Sequence, residues 1–271
     1  MQVRQEKKQH RFRISILFVI VLLSFGGCFL YYMYDENDIN FLDVKKTETT
    51  TEETEAAVVY ITDLTESESG ISNPVPQSEK KDNDYLNSCL FIGDSVLKGL
   101  TEGGIIPENN AITGDDVSIK SINSATVNEK DNPVSVSKKL AAMQGDNIYI
   151  VLGTDSMDSM TNEAMLKEYK SFLKSVLSDN NEKNIYIVSV PPVTAEREND
   201  RVSPVLNSSV KLFNEALLDI ADEMGVYYID VNSALSDDQG KLKPEYSESD
   251  GKALSEEGNK VFLEYMLSHT V

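Results

Sequence analysis

A serine that could act as a nucleophile follows an early apolar run of the chain. Residues 89–92 are apolar, and Gly93-Asp94-Ser95 comes directly after them, before a helix-compatible stretch. This order predicts a buried strand that delivers the Ser95 hydroxyl to the carboxyl end of a sheet, where open α/β sheets bind their ligands. A helix N-terminus at that point would favour developing negative charge. The same tripeptide also makes an ordinary turn with a helix N-cap, so by itself it leaves both interpretations open.

Other segments that could carry functional groups follow the remaining candidate strands or precede the last helix. Because the carboxyl ends of parallel strands lie at one edge of a sheet, this edge is where we expect the functional groups. The segments concerned are Asn123-Ser124-Ala125-Thr126, Gly153-Thr154-Asp155-Ser156, Pro191-Pro192-Val193 and, before the last helix, Ser249-Asp250-Gly251-Lys252-Ala253.

The elements that must position these groups are short apolar strands that alternate with amphipathic helices. Near-continuous apolar strands between such helices are typical of a parallel sheet covered on both faces. The sequence therefore predicts an α/β fold, a three-layer α/β/α domain over residues 85–271 with a mostly parallel sheet of about five strands. The candidate strands are Cys89–Ile92, Val117–Ile122, Asn147–Leu152, Asn184–Val190 and Val226–Asp230, and the helical faces lie between Met165 and Leu177 and between Leu206 and Met224.

The N-terminal region has the pattern of a membrane anchor. Residues 1–13 carry five Lys or Arg and one Glu, and residues 14–34 contain no charge. This length matches the roughly 20 residues of a transmembrane helix, and the basic flank predicts a cytoplasmic N-terminus with the rest of the chain outside the membrane. A cleaved signal peptide and a lipoprotein signal ending at Cys28 are the alternatives. Both fit less well, because the apolar run continues past Cys28.

Residues 35–84 are rich in Glu, Thr, Ser and Asp. Such a segment has too little apolar surface to offset the entropy of ordering it. It is predicted to be a disordered, acidic linker between the anchor helix and the folded domain.

Composition excludes several classes of function. The formal net charge of −20 argues against nucleic-acid binding, which needs clustered Lys and Arg. The two cysteines, Cys28 and Cys89, lie in an anchor and a core strand and are not expected to pair. The two histidines are His10 and His269, and no Cys/His cluster has metal-ligand spacing. We therefore predict no metal site and no cofactor.

The motifs together resemble those of the SGNH (GDSL-type) hydrolase family, which includes serine esterases, lipases and carbohydrate deacetylases. The resemblance spans most of residues 85–271, and the order of several motifs is more specific than any one of them. It rests on Phe91-Ile92-Gly93-Asp94-Ser95, Val151-Leu152-Gly153-Thr154, Phe213-Asn214-Glu215-Ala216-Leu217, Tyr227-Tyr228-Ile229-Asp230-Val231, Asp250-Gly251 and Leu254-Ser255-Glu256-Glu257-Gly258.

The resemblance assigns a role to Ser95 but not to all its partners. Ser95 matches the nucleophile, and its backbone N–H matches one donor to the oxyanion. The family's second donor is a glycine N–H, and the matching place near Ser124 and Ala125 has no glycine. After Gly153 the family has an asparagine whose side chain donates to the oxyanion, whereas this chain has Asp155. An ionised aspartate only accepts hydrogen bonds, so it would repel the charge that it should stabilise.

The last motif lacks the general base. Asp250 matches the acid of the triad, but Ala253 stands where the family has histidine. A serine hydroxyl is a weak nucleophile without an adjacent base. His10 should lie across the membrane, and His269 is expected to pack on the terminal helix. Lys252 is a candidate replacement base, because Ser–Lys pairs exist in other hydrolases, and the alternative is a solvated loop lysine.

Three hypotheses for the function follow. The first is a membrane-anchored, extracytoplasmic hydrolase-like domain that is catalytically impaired or inactive and binds an acylated or glycan ligand of the cell envelope. The second is an active serine esterase or O-deacetylase on envelope glycans with an unconventional base. The third is a purely structural cell-surface domain. The missing base favours the first, since serine and base act as one unit.

Overall fold

The computed structural model describes residues 70–114, 116–129 and 132–271. The strands are β1 Cys89–Gly93, β2 Ala111–Ile112, β3 Thr126–Glu129, β4 Asn132–Ser135, β5 Asn147–Val151, β6 Asn184–Val188 and β7 Tyr227–Ile229. Five of them form a parallel sheet in the order β2-β1-β5-β6-β7, and a separate antiparallel hairpin pairs β3 with β4. This confirms the predicted mostly parallel sheet of about five strands.

Helices cover both faces of the sheet, which gives the predicted three layers. Successive strand residues point to opposite faces, so Leu90 and Ile92 join one apolar cluster and Cys89 and Phe91 the other. The helices are α1 Ser95–Glu102, α2 Val136–Ala142, α3 Asn162–Asp179, α4 Ala195–Glu198, α5 Asn207–Met224, α6 Val231–Leu235 and α7 Glu256–Leu267. The first cluster includes residues of α2, α3 and α5, and the second includes residues of α1, α6 and α7.

An aromatic ladder fixes the register of four strands. Phe91, Tyr149, Tyr186 and Tyr227 are paired across β1, β5, β6 and β7. Their ring centroids are 5.3, 4.5 and 4.9 Å apart, and each pair is stacked. A shift of one residue would move each ring to the other face of the sheet, so the ladder holds the strands in the alignment that brings their carboxyl ends together.

The predicted strand Val117–Ile122 is wrong, because these residues form turns. The reason is local, since serine hydroxyls bind nearby backbone carbonyls and compete with a strand ladder. Ser121 Oγ donates to the carbonyl of Asp116, and Ser124 Oγ donates to that of Ser121. The edge strand next to β1 is instead the two-residue β2, which is too short to leave a pattern in the sequence.

The residues that pack on the domain begin before the predicted domain boundary at residue 85. The Asn73 side chain accepts from Tyr228 N at 2.7 Å and donates to Val226 O at 2.9 Å, and Val75 N donates to Tyr228 O at 2.8 Å. These contacts extend the open edge of β7, and Val75 is buried in the core. The part of the predicted linker from residue 70 to residue 84 therefore includes a segment that packs on the domain.

The predicted anchor helix at residues 14–34 and the linker up to residue 69 lie outside the described residues. Among the helices that are described, none is long and apolar enough to cross a membrane.

Candidate active site

The end of β1 places Ser95 at the first turn of α1. Gly93 is required there, because a Cβ at this position would lie 2.5 Å from Val151 O and 2.7 Å from Leu97 Cβ. Because glycine has no Cβ, β1 and α1 can approach the end of β5 closely. Asp94 then caps the helix by accepting from Val96 N at 3.3 Å, so that Ser95 is the first helical residue. Sequence reasoning left a choice between a nucleophile position and a helix N-cap, and the local geometry contains the cap at Asp94.

The Asp94 carboxylate joins the ends of two strands. It is 2% exposed and accepts from Gly153 N at 2.8 Å and from Asp155 N at 3.3 Å. Burial, together with the nearby charge of Asp155, raises the pKa of Asp94 to about 7, although the backbone hydrogen bonds act in the opposite direction. Asp94 therefore holds the segment after β5 against the segment after β1.

Gly153 gives the segment after β5 its direction. Its φ of 149° is a conformation that residues with side chains rarely adopt, and a Cβ there would collide with the side chain of Val190. The short 3-10 turn Thr154–Ser156 begins directly after it and carries Asp155 towards Ser95.

Asp155 takes up both hydrogen-bond donors of Ser95. The Ser95 hydroxyl donates to Asp155 Oδ1 at 2.6 Å, and the Ser95 backbone N–H donates to Asp155 Oδ2 at 3.0 Å. Lys252 Nζ also donates to Oδ1 at 3.0 Å, and the two side chains are 19% and 30% exposed. Ser95, Asp155 and Lys252 therefore form a connected polar cluster at the carboxyl end of the sheet, which we call the serine cluster.

The serine cluster keeps Asp155 ionised. Burial raises the pKa of Asp155, but the hydrogen bonds from Ser95 and Lys252 and the positive charge of Lys252 outweigh it and hold the pKa below its ordinary value. An ionised carboxylate thus lies against the N–H that an oxyanion would need. The position expected to donate to an oxyanion is filled by an acceptor.

The backbone N–H groups of Ala125 and Gly153 are already engaged within the chain. Ala125 N donates to Ser121 O at 2.9 Å, and Gly153 N donates to Asp94. Ala125 follows a run of turns and immediately precedes β3. A donor at Ala125 would have to leave its present partner to serve an oxyanion.

The carboxylate of Asp250, the predicted acid, binds the backbone of its own loop. Asp250 is exposed, and its Oδ1 accepts from Lys252 N at 2.9 Å and from Ala253 N at 2.8 Å. Its carboxylate therefore shapes its own turn, while the Lys252 side chain extends to Asp155. Lys252 is not the solvated loop lysine of the alternative interpretation, since it is mostly buried and ion-paired.

The one described histidine, His269, is occupied at the end of α7. Its ring stacks on Tyr265 with centroids 3.8 Å apart, and Nδ1 lies 2.7 Å from Tyr265 O. This agrees with packing at a helix C-terminus. His10 lies outside the described residues.

Two residues that the sequence motifs did not point to contact the Asp250 loop. Thr194 N donates to Gly251 O at 3.0 Å, and a Cβ at Gly251 would lie 2.8 Å from Arg197 Cβ, so Arg197 packs directly against the loop. Arg197 also forms a 3.2 Å ion pair with Asp158, shortly after Asp155. The only sequence signal is Thr194 before Ala195-Glu196-Arg197, which is typical of a helix N-cap. In the described part of the chain, no cluster of His, Cys, Asp and Glu has the arrangement of a metal site.

Solved structures of other proteins are similar to this chain. A solved structure from Streptococcus pneumonia, provisionally described as a platelet activating factor, is 20% identical and has a TM-score of 0.50, with 68% of this chain and 88% of that chain covered. A GDSL-like lipase from Bacteroides thetaiotaomicron VPI-5482 is 12% identical with a TM-score of 0.47, covering 69% of this chain and 88% of that one. At such identities the first likeness shows the fold alone. No curated protein matches the chain significantly.

The family itself is shown by sequence. The model of the GDSL-like lipase/acylhydrolase family matches residues 91–261, a span that begins within β1 and ends within α7. It includes Ser95, Asp155 and the Asp250 loop. The chain therefore belongs to the GDSL-like lipase/acylhydrolase family, as the resemblance to SGNH hydrolases predicted.

Proposed function

We propose that this protein is a membrane-anchored, extracytoplasmic member of the family that binds an acylated or glycan ligand of the cell envelope without hydrolysing it by the family's usual route. The family follows from the match of the family model to residues 91–261. The anchoring is supported by the charge-free run at residues 14–34 and its basic flank. The impaired chemistry is supported by the serine cluster.

One observation carries the proposal, namely that the Asp155 carboxylate binds both the hydroxyl and the backbone N–H of Ser95. Ester hydrolysis builds negative charge on the substrate oxygen, and donors must be aimed at that charge. Here the Ser95 N–H donates to the Asp155 carboxylate, and an oxyanion at the same place would be repelled by that carboxylate. Losing one such donor costs about 10²–10³ in turnover in other enzymes.

The absence of a strong base acts in the same direction. Ala253 has no basic group, and the base in contact with the Ser95 hydroxyl is a carboxylate whose pKa is lowered. A general base is most effective when its pKa lies near the working pH, so this carboxylate is a poor one. Serine and base act as one unit, and the loss of either removes most of the rate.

A working serine esterase is the second candidate, and one contact favours it. The Ser95 hydroxyl, the Asp155 carboxylate and the Lys252 ammonium form a continuous hydrogen-bonded chain. In such a chain Asp155 accepts the proton of Ser95 as its oxygen attacks the ester, and Lys252 stabilises the negative charge that forms on the substrate oxygen. The weak base and the occupied N–H make this the slower chemistry.

Hydrolysis of an activated ester separates the two candidates. The full chain, purified in detergent, is incubated with p-nitrophenyl acetate, and a fluorophosphonate probe reports the reactivity of serine. We expect the wild type and Ser95→Ala to release p-nitrophenol at the same rate and neither to be labelled. Turnover or labelling of the wild type that Ser95→Ala abolishes would establish the esterase and overturn the proposal.

A further inference from the structure

The hydrogen-bonding capacity of the serine cluster defines the kind of ligand that fits it. An ionised carboxylate offers about four acceptor positions. Three of those on Asp155 are used within the described chain, by Ser95 Oγ and Lys252 Nζ on Oδ1 and by Ser95 N on Oδ2. One acceptor position therefore remains on Oδ2. It belongs to a side chain that is 30% exposed.

The neighbouring groups add both kinds of hydrogen bond. The Ser95 hydroxyl donates its hydrogen bond to Asp155, so the lone pairs of its oxygen can accept hydrogen bonds from a ligand. Lys252 Nζ carries three protons and directs one of them to Asp155. The serine cluster thus presents acceptors on Asp155 and Ser95 and donors on Lys252, all within one hydrogen-bonded group.

A pair of adjacent sugar hydroxyls complements this pattern. One hydroxyl can donate to Asp155 Oδ2, while the next accepts from Lys252 Nζ. Acetylation replaces the hydroxyl proton, and the carbonyl oxygen of the acetyl group can only accept hydrogen bonds. Its partial negative charge would be repelled by the Asp155 carboxylate. A site built to bind a hydroxyl rejects an analogue that lacks it, because a polar group is left unpaired.

The charges at the serine cluster restrict the class of ligand further. The Lys252 ammonium is neutralised by Asp155 at 3.0 Å, and the chain as a whole carries a formal charge of −20. Neither the cluster nor the surrounding protein attracts carboxylates or phosphates. A neutral polyol is favoured over an acidic polymer.

We propose that the serine cluster recognises free vicinal hydroxyls of a de-O-acetylated neutral glycan, which is the product of ester hydrolysis rather than the ester. This inference rests on the proposed function, since a site that hydrolysed the ester would have to bind it. The protein then distinguishes glycans by their acetylation without changing them. The substitution that removes the oxyanion donor is the same one that supplies the hydroxyl acceptor.

Binding to matched glycans tests the inference. The full chain in detergent is applied to an array carrying neutral oligosaccharides in O-acetylated and de-O-acetylated pairs, and the strongest pair is measured by calorimetry. We expect the de-O-acetylated member to bind at least about tenfold more tightly. In Asp155→Asn we expect the preference to fall below about twofold. Glu256→Gln makes the same chemical change in an exposed ion pair with Lys260 on α7 and should leave the preference unchanged.

The outcomes separate the two proposals. Equal binding of both members, tighter binding of the acetylated member, or no binding to any pair would overturn the hydroxyl inference. Release of acetate from the acetylated members, measured on the same array and abolished by Ser95→Ala, would overturn the proposed function instead. A preference that survives in Asp155→Asn would show that another part of the surface reads the hydroxyls, and would also overturn the inference.

Discussion

Two aspartates at the carboxyl end of the sheet differ in their burial, in their hydrogen-bond partners and in the direction of their pKa shifts. Asp94, after β1, is 2% exposed and accepts from three backbone N–H groups. Asp155, after β5, is partly exposed and is held by the side chains of Ser95 and Lys252 as well as by one backbone N–H. Burial raises the pKa of the first carboxyl to about 7, whereas hydrogen bonds and a positive charge outweigh burial and lower the pKa of the second.

The difference separates architecture from chemistry. Removing Asp94 would leave the N–H groups of Gly153 and Asp155 without their partner and loosen the junction of β1 and β5. Replacing Asp155 would mainly alter what faces the ligand and would cost little stability. A chain can therefore exchange the chemistry at Asp155 while it keeps the fold that positions Ser95.

The largest expected effect is on stability. Asp94→Ala leaves buried N–H groups unsatisfied and removes the cap of α1, so it should lower the free energy of unfolding by roughly 2–4 kcal/mol. Asp155→Ala should lower it by about 1 kcal/mol or less, since its ion pair is partly exposed. Urea unfolding followed by near-UV circular dichroism compares the two. Equal losses would contradict the division between architecture and chemistry.

The next effect is a gain of hydrolysis. Ala253→His combined with Asp155→Asn supplies a base beside Asp250 and turns the acceptor at Asp155 into a donor. We expect p-nitrophenyl acetate turnover to rise about hundredfold over the wild type, within the range assigned to a general base or to an oxyanion donor. Ser95→Ala in the double variant should remove the gain. A double variant that folds normally and stays at background would show that the Asp250 loop does not bring position 253 to the serine.

A further expected effect is a pH dependence of stability. The pKa of Asp94 is raised from 3.8 in the unfolded chain to about 7 in the fold, so the folded state keeps a proton that the unfolded state loses. Its contribution to stability is complete below about pH 4 and is lost as the pH rises to about 7, with a slope of at most about 1.4 kcal/mol per pH unit. Asp155 has a lowered pKa and acts in the opposite direction, so its contribution is lost as the pH falls below about 4.

Melting temperatures measured from pH 3 to pH 8 resolve the two carboxyls. Asp94→Asn should flatten the fall between pH 4 and pH 7, and Asp155→Asn should weaken the loss below pH 4. A fall between pH 4 and pH 7 that persists in Asp94→Asn would assign it to another group.

The sheet was largely predictable because its strands are apolar on both faces. Four of the five candidate strands overlap β1, β5, β6 and β7, where continuous apolar runs are the signal of burial. The edge strand was not predictable, since β2 has two residues. Serine-rich turns replaced the candidate strand at 117–122, because side-chain hydrogen bonds to the backbone are invisible in an apolar pattern.

The site was predictable in its residues and less so in its contacts. Sequence reasoning identified Asp155 as a charge of the wrong sign for an oxyanion donor, and the geometry adds that this charge binds Ser95 itself. The direction of the Lys252 side chain depends on the turn that Asp250 caps and could not be read from the sequence. The roles predicted for Ser95, Asp250 and Ala253 stay predictions that the ester assays address.

The segment that packs on the edge of β7 has a mechanical consequence. Tension on the chain before residue 70 enters the domain through Asn73 and Val75 at β7, and then through Ser78 and Lys81, whose N–H groups donate to the carbonyls of Ser268 and Leu267 at the end of α7. The Lys80–Glu264 ion pair adds a further tie. These bonds must break before the load reaches β1. The strand that leads to Ser95 would thereby be shielded from pulling, while the outer edge of the sheet would bear the load.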